Sequence, residues 1–457
     1  MNTNVDVVIA GGGIGGLVTA LCLHKAGFSV QIYEASQILK PLGVGIGMRS
    51  HGTKFLYELG LAEDLDKLGI RARATQYYSK NGQFIHEELR GLEAGYNWPE
   101  YLVHRGDLQL LLCKHVLEKV GKSSVVLGHK LIGFESFAEH VEVKFLDRSS
   151  NEIVKKSAKL LIGADGISST VRTILYPDEG PPVWSGVAMW CGVQRVDKLF
   201  LDGRTTLLMG NLNRRLVVYP INENSICWFC HVRIDGPGVK LHKTADWNTI
   251  GRVEDILPLF EEMKTDFLDI SNMIRTTEKV WEFPVTDRNP LPKWTHNRVT
   301  LLGDAAHAMY PIGGNGAAQA IFPIIREVRP AFPMEDTVTI GYNVADAQAL
   351  VQCFQRYGPT VEALEEYDNI RRGIATSIVN SNRQGGPQQV LKIVDEHSPN
   401  GFKDIRDIIS KEEVDAIIRK YNRLAGFDLN TLNNEPNVFP NDENKKEYTR
   451  DDKQKES

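Results

Sequence analysis

Long hydrophobic runs are missing from this 457-residue chain, which excludes an obvious membrane span. Cysteine is scarce, with six residues in the whole chain, too few for a disulfide framework, so a reducing cytoplasm is the expected location. The first residues lack a basic region, a long apolar stretch and a small-residue cleavage site, so no secretion signal is expected. No run of basic residues points to nucleic acid, and a formal charge of −5 is mild. Cys227 and Cys230 have the spacing of half a zinc site, but no second pair accompanies them. They lie in an alternating run, where residues three apart face opposite sides of a strand, so they are expected to pack rather than bind metal.

What the chain does have is glycine in a particular place. Val5–Ala10 reads as a buried strand, "GGGIGG" follows, and "LVTALCLHKAG" has helical periodicity with a terminal glycine. "FSVQIYEAS" then reads as a second strand, which makes a β-turn-α-β unit with parallel strands. Gly11, Gly13 and Gly16 satisfy the dinucleotide-binding spacing, with Ile14 opening the helix. Gly11 permits the tight turn, Gly13 lets a pyrophosphate approach the backbone, and Gly16 lets the helix pack on the strand. The helix N-terminus offers N–H groups and the positive end of its dipole. Glu34 ends the second strand, where a carboxylate binds ribose hydroxyls. These features point to a dinucleotide site without separating FAD from NAD.

Further along, "Arg105-Gly-Asp-Leu-Gln-Leu-Leu-Leu" opens an amphipathic helix with Asp107 as its expected cap. "Lys159-Leu-Leu-Ile-Gly-Ala-Asp-Gly" is a buried strand running into a turn. From Trp184 to Ile234, strand-like runs separated by turn residues predict an antiparallel sheet. "Arg298-Val-Thr-Leu-Leu-Gly-Asp" returns to the buried-strand pattern. Ala347–Tyr357, Thr360–Asn382 and Lys411–Leu424 read as helices, and the polar stretch 428–457 as a disordered tail.

Three motifs in order, the glycine turn, Asp165-Gly166, and Gly303-Asp304 followed by "AAHAMYPIGGNGAAQA", resemble the flavoprotein monooxygenases of the aromatic-hydroxylase type. "PLGVGIGM", "HRGDLQLLL", "LLIGADGISSTVR", "VAMWCGV" and "VVYPI" are similar to the branch that includes phenazine-modifying enzymes. The resemblance runs to about Phe427. It implies an α/β fold: a Rossmann-like FAD-binding domain with a parallel sheet (1–70, 101–175 and 296–321), an antiparallel substrate domain (71–100 and 176–295) and C-terminal helices (346–427). It implies FAD as cofactor, NAD(P)H as co-substrate without a permanent site, and O2 and a small aromatic molecule as partners, possession of no nucleic-acid or membrane partner, and a place in secondary metabolism. In that chemistry hydride reduces the flavin, O2 adds at C4a, and the hydroperoxide passes its distal oxygen to an electron-rich ring. An FAD oxidase or dehydrogenase on the same fold is the alternative, and a non-catalytic FAD-fold binding protein a third reading.

The resemblance also assigns residues. Arg105 reaches the FAD linker, Asp165 serves FAD and the nicotinamide donor, and Asp304 contacts the ribityl chain. Gly316 and Ala317 would offer backbone N–H groups to the negative charge of the reduced ring. Gly45 and Gly47 leave room near that ring. His307 is expected to be structural. Tyr219 matches a position facing substrate, where a phenol orients or deprotonates a hydroxyl. Trp190, Cys191 and Pro311 are assigned to the substrate pocket. Related hydroxylases carry an arginine where this chain has Cys191. Arg49 is the nearby candidate to replace that cation, although a solvated loop position is expected for it.

One stretch breaks the pattern. In the family the helix beginning near Asn315 continues from "NGAAQAI" into "DAQAL", but here Phe322–Ala345 intervenes, with Pro323, Pro330 and Pro333. Each interior proline would cost a helix about 3 kcal/mol. The segment reads as an insertion or as a translated intron.

Overall fold

The computed structural model describes residues 5–41, 44–239, 249–314, 319, 325–326, 342–343 and 346–439. The chain begins with β1 (Val5–Ala10), α1 (Ile14–Lys25), β2 (Val30–Tyr33), β3 (Gly45–Met48) and α2 (Ser50–Glu58). It goes on through β4 (Ala74–Tyr78), β5 (Phe84–Leu89), β6 (Tyr101–His104), α3 (Arg105–Lys119), β7 (His129–Ser136), β8 (Val141–Asp147), β9 (Glu152–Gly163) and α4 (Thr170–Leu175). Then follow β10 (Val183–Arg195), β11 (Thr205–Gly210), β12 (Arg214–Asn222), β13 (Ser225–Arg233), α5 (Val253–Phe260), α6 (Ile270–Thr276), β14 (Val280–Asp287), β15 (Val299–Leu301) and α7 (Asp304–His307). The last described elements are α8 (Asp346–Tyr357), α9 (Val361–Arg383), α10 (Gln389–His397), α11 (Lys411–Ala425) and α12 (Leu429–Asn434).

Two sheets organise these elements. In the first, β1 lies parallel between β2 and the second half of β9, and β15 lies parallel to β9. Val7, Val8 and Ile9 are fully buried, which is why β1 is apolar from Val7 to Ala10 rather than alternating. The first half of β9 pairs antiparallel with β8, and β8 with β7, so an antiparallel extension is added to the expected parallel sheet. Helices α1, α3 and α8 pack around this sheet and share its core. The second sheet has the order β14-β10-β13-β12-β11-β4-β5, antiparallel except for β11 beside β4. One of its faces packs on α5 and α6. Part of the other face packs on α10 and α11.

The three late helices fall where periodicity placed them. The expected tail does not begin at residue 428: α12 forms, and Phe439 stacks on Phe55 with ring centroids 6.1 Å apart. Lys54 Nζ donates to the Glu435 carbonyl at 2.9 Å and pairs with its carboxylate at 3.4 Å. A few anchors therefore hold a polar stretch down. Residues 440–457 lie outside the described residues. In the 322–345 segment, only the backbone pairing of Ile325–Arg326 with Tyr342–Asn343 is described. No described helix is long and apolar enough to cross a membrane.

Candidate active site

The glycine turn has the shape a dinucleotide phosphate requires. Gly11 adopts φ +111°, and a Cβ there would come within 2.3 Å of the Ala164 carbonyl oxygen. A Cβ on Gly16 would lie 2.2 Å from the Gly11 oxygen, so helix and turn touch backbone to backbone. A Cβ on Gly13 would meet nothing within 4 Å, which leaves the amide end of α1 open. Buried Ile14 starts that helix. The turn therefore fits a pyrophosphate.

Glu34 does more than the spacing suggested. Its Oε2 accepts from the Gly12 N–H at 2.7 Å and its Oε1 from the Ser36 N–H at 2.8 Å. The carboxylate thus braces the turn through two backbone amides. Gln109, not anticipated from the sequence, donates from Nε2 to the Gly12 oxygen at 2.7 Å. It lies four residues after Arg105, one helical turn along the same face, and that spacing was the available signal. Arg105 is exposed, and its backbone N–H donates to the Val44 oxygen at 2.9 Å. The cap of α3 is His104 rather than Asp107, which sits inside the first turn and faces His104 Nδ1 at 3.3 Å.

Asp165 and Asp304 differ in kind. The Asp165 carboxylate accepts from the Ser169 hydroxyl, from the Thr170 N–H at 2.7 Å and from the Val171 N–H at 3.2 Å. It holds the start of α4, and burial raises its pKa despite those donors. Asp304 is exposed at the start of α7, beside Gly303 at φ +62°. Its turn is fixed from behind by Asp346, the first residue after the insertion. Asp346 is fully buried and accepts from the Gly303 N–H at 2.8 Å and from Arg371 Nε at 2.9 Å. His307 Nε2 lies 2.7 Å from the same carboxylate, which makes His307 part of the support. Arg371 also donates to Gln319 Oε1 at 3.2 Å, so it joins the chain on both sides of the insertion. Gly316 and Ala317 lie outside the described residues.

On the second sheet, Tyr219 and Cys227 face the strand that carries Gly45. A Cβ on Gly45 would stand 2.5 Å from Tyr219 Cε2, and the Gly45 N–H donates to Cys227 Sγ at 3.0 Å. Gly45 is therefore required by packing on Tyr219, whereas a Cβ on Gly47 would come no closer than 3.9 Å to any neighbour. Burial holds the Tyr219 phenol well above its ordinary pKa and pushes the Cys227 thiol up to about 12. A phenol so held favours the neutral form, which can donate a hydrogen bond.

Cys191 packs with Val187, Met189, Phe283, Val285 and Tyr310 on this side. Trp190, assigned to the same pocket, packs instead among Ile256, Phe260 and Ile274 beneath α5 and α6. Adjacent strand residues point to opposite faces, so the two cannot line one pocket. Cys227 and Cys230 are separated in the same way, and no metal-holding group of ligands occurs among the described residues. Pro311 is exposed at the start of the loop Ile312–Gly314. Arg49 is buried rather than solvated: it pairs with Glu100 at 3.3 Å and donates to the Gly313 oxygen at 2.8 Å. Tyr421 Oη donates to the Ile312 oxygen at 3.1 Å, so the C-terminal helices hold the same loop.

A sequence profile described as "FAD binding domain" matches residues 4–323. The chain belongs to this FAD-binding family of flavoprotein monooxygenases. It is 38% identical over 394 residues to phenazine 1,6-dicarboxylic acid hydroxylase PhzS of Lysobacter antibioticus, covering 83% of this chain and 90% of that one. It is 27% identical over 380 residues to 3-amino-4-hydroxybenzoate 2-monooxygenase of Streptomyces cremeus, covering 81% and 84%. The fold matches Klebsiella pneumoniae HpxO complexed with FAD and uric acid at a TM-score of 0.71, with 20% identity over 93% of this chain and 98% of that one. The protein is an FAD-dependent monooxygenase of the aromatic-hydroxylase type, with NAD(P)H as electron donor.

Proposed function

We propose that this enzyme hydroxylates an electron-rich aromatic or heteroaromatic small molecule, with O2 as co-substrate, in secondary metabolism. The observation that carries the reading is the face shared by Tyr219, Cys191, Met189 and Phe283, set against Val44, Tyr310 and Ile312. That wall is largely apolar, would exclude water from a planar ring, and carries two neutral phenols, of which Tyr219 would fix the ring's orientation. Bound FAD supplies the redox chemistry, taking electrons from NAD(P)H and activating O2. Gly11, Gly13, Glu34 and Arg105 would hold its ADP half and linker, Asp304 its ribityl chain, and the amides of Gly316 and Ala317 its ring. Relatives acting on a phenazine dicarboxylic acid and an aminohydroxybenzoate support the substrate class.

The six cysteines are free and buried, which supports a reducing cytoplasmic location. Product analysis on a panel of hydroxylated aromatics and heterocycles tests the proposal. Tyr219→Phe should keep bound FAD while lowering the ratio of product formed to NAD(P)H consumed. Unchanged coupling would return Tyr219 to a packing role.

A further inference from the structure

Residues 428–439 are fastened to the body of the protein through a small cluster of charges. Lys54 and Glu58 lie one turn apart on α2. Lys54, fully buried, donates from Nζ to the carbonyls of Glu435 at 2.9 Å and Pro436 at 3.2 Å, and faces the Glu435 carboxylate at 3.4 Å. Glu58 Oε2 accepts from the backbone N–H groups of Val438 at 2.9 Å and Phe439 at 3.4 Å. Asn433 ties the same segment to a second element. Its side-chain oxygen accepts from the Asn97 N–H at 2.9 Å, and its amide donates to the Gly95 carbonyl at 2.8 Å.

The charges of this cluster do not balance. Two carboxylates, Glu58 and Glu435, share the one buried ammonium of Lys54, so the closed cluster holds one negative charge in excess. Lys25 of α1 also acts on Glu58, but it is exposed, and its Nζ donates to the Glu58 carbonyl at 2.8 Å. Glu58 Oε1 is buried and has no hydrogen-bond partner among the described residues. An orphaned oxygen is costly on a buried anion, and a proton shared by the cluster relieves that cost. Burial raises Glu435 to about 7 in spite of Lys54, with the Glu58 charge adding to the rise, and burial raises Glu58 as well.

The root of the segment reaches the active-site framework. The Phe427 ring stacks on His51 with centroids 5.0 Å apart and lies 5.1 Å from the Arg49 guanidinium. The Phe427 carbonyl accepts from Tyr96 Oη at 2.5 Å. Arg49 precedes α2 and holds the Gly313 oxygen, in the loop whose Ile312 adjoins the substrate wall. One end of α2 therefore meets the segment, and the other end meets that loop.

We propose that residues 428–439 are a proton-operated strap: it closes on α2 as the Lys54–Glu58–Glu435 cluster takes up one proton, opens as that proton leaves to solvent, and in closing steadies Arg49 and the Ile312–Gly314 loop. The sign follows from linkage. Glu435 titrates near its ordinary 4.5 in the open strap and near 7 in the closed one. The gain in closure is complete below 4.5 and is lost as pH rises through 7. The closing equilibrium should therefore weaken about ten-fold from pH 6 to pH 8.

The test is amide hydrogen exchange on the full-length, FAD-loaded enzyme, with each rate divided by the intrinsic rate at that pH. Protection of the Val438 and Phe439 amides should be about ten-fold greater at pH 6 than at pH 8, while the β1 amides stay unchanged. Glu435→Gln balances the cluster and should carry the pH 6 protection up to pH 8. Lys54→Met removes its cation and should lower protection at pH 8 below the wild-type value. The Ile312 amide, which donates to the Tyr310 carbonyl at 2.7 Å, should lose protection at pH 8 in the wild type and keep it in Glu435→Gln. Equal protection at the two pH values, greater protection at pH 8, or a difference that survives Glu435→Gln would overturn the proton-operated strap. An Ile312 amide indifferent to the strap would overturn its link to the loop. No substrate enters these measurements, so they stand or fall separately from the hydroxylase reading.

Discussion

Replacing Asp346 with asparagine should damage the site without touching cofactor or substrate. The carboxylate is fully buried and serves three partners: the Gly303 N–H, His307 and Arg371. Burial alone would raise its pKa, but the pull of His307 and Arg371 outweighs that and holds it at about 2, against an ordinary 3.8. A folded-state pKa below the unfolded one means that the group stabilises the fold above about pH 4. That stability disappears as pH falls toward 2. The difference corresponds to roughly 2 kcal/mol. Asp346→Asn also strands the buried Arg371 cation, and breaking such a pair costs about 3–5 kcal/mol. We expect a loss of about 3 kcal/mol in urea unfolding at pH 7, and partial loss of FAD because the Gly303-Asp304 turn is no longer held. Adding Arg371→Met should recover part of the stability. A wild-type urea midpoint together with full flavin content would refute this reasoning.

Two glycine variants should separate packing from binding. Gly13→Ala should fold with wild-type stability yet lose FAD, measured by its flavin absorbance, because the new methyl occupies only the open approach to the turn. Gly16→Ala should lose about 1–3 kcal/mol of stability, measured by denaturant, because its methyl collides with the Gly11 oxygen. Arg49→Met should cost about 3 kcal/mol by leaving Glu100 buried and unpaired, and proteolysis should find the Ile312–Gly314 loop more accessible. Deleting 322–345 should preserve or improve FAD binding and melting temperature, and the transcript should lack the segment. Loss of flavin on deletion, with the segment present in the transcript, would show that it belongs to the working enzyme.

The readable parts of the sequence were those in which a local backbone need dictates residue type. Gly11 and Gly16 are glycines because a Cβ at either place would meet a carbonyl, and spacing alone conveys that. Alternation likewise set Cys227 and Cys230 on opposite faces. The same rule, applied to Trp190 beside Cys191, would have kept Trp190 out of the pocket. Arg49 was not readable, because its burial depends on Glu100, Gly313 and Phe427, all distant in sequence. The 428–439 stretch looked disordered because its anchors, Leu432, Glu435 and Phe439, are few among polar neighbours, and their partners lie some 380 residues earlier.

The central claim is most directly tested by running the FAD-loaded enzyme with NADPH or NADH under isotopically labelled O2 and analysing products from the aromatic panel by mass spectrometry. The account predicts substrate-dependent oxidation of the nicotinamide and a product carrying one labelled oxygen atom. Nicotinamide oxidation that yields only peroxide from every substrate, or a protein that cannot be loaded with FAD, would contradict it.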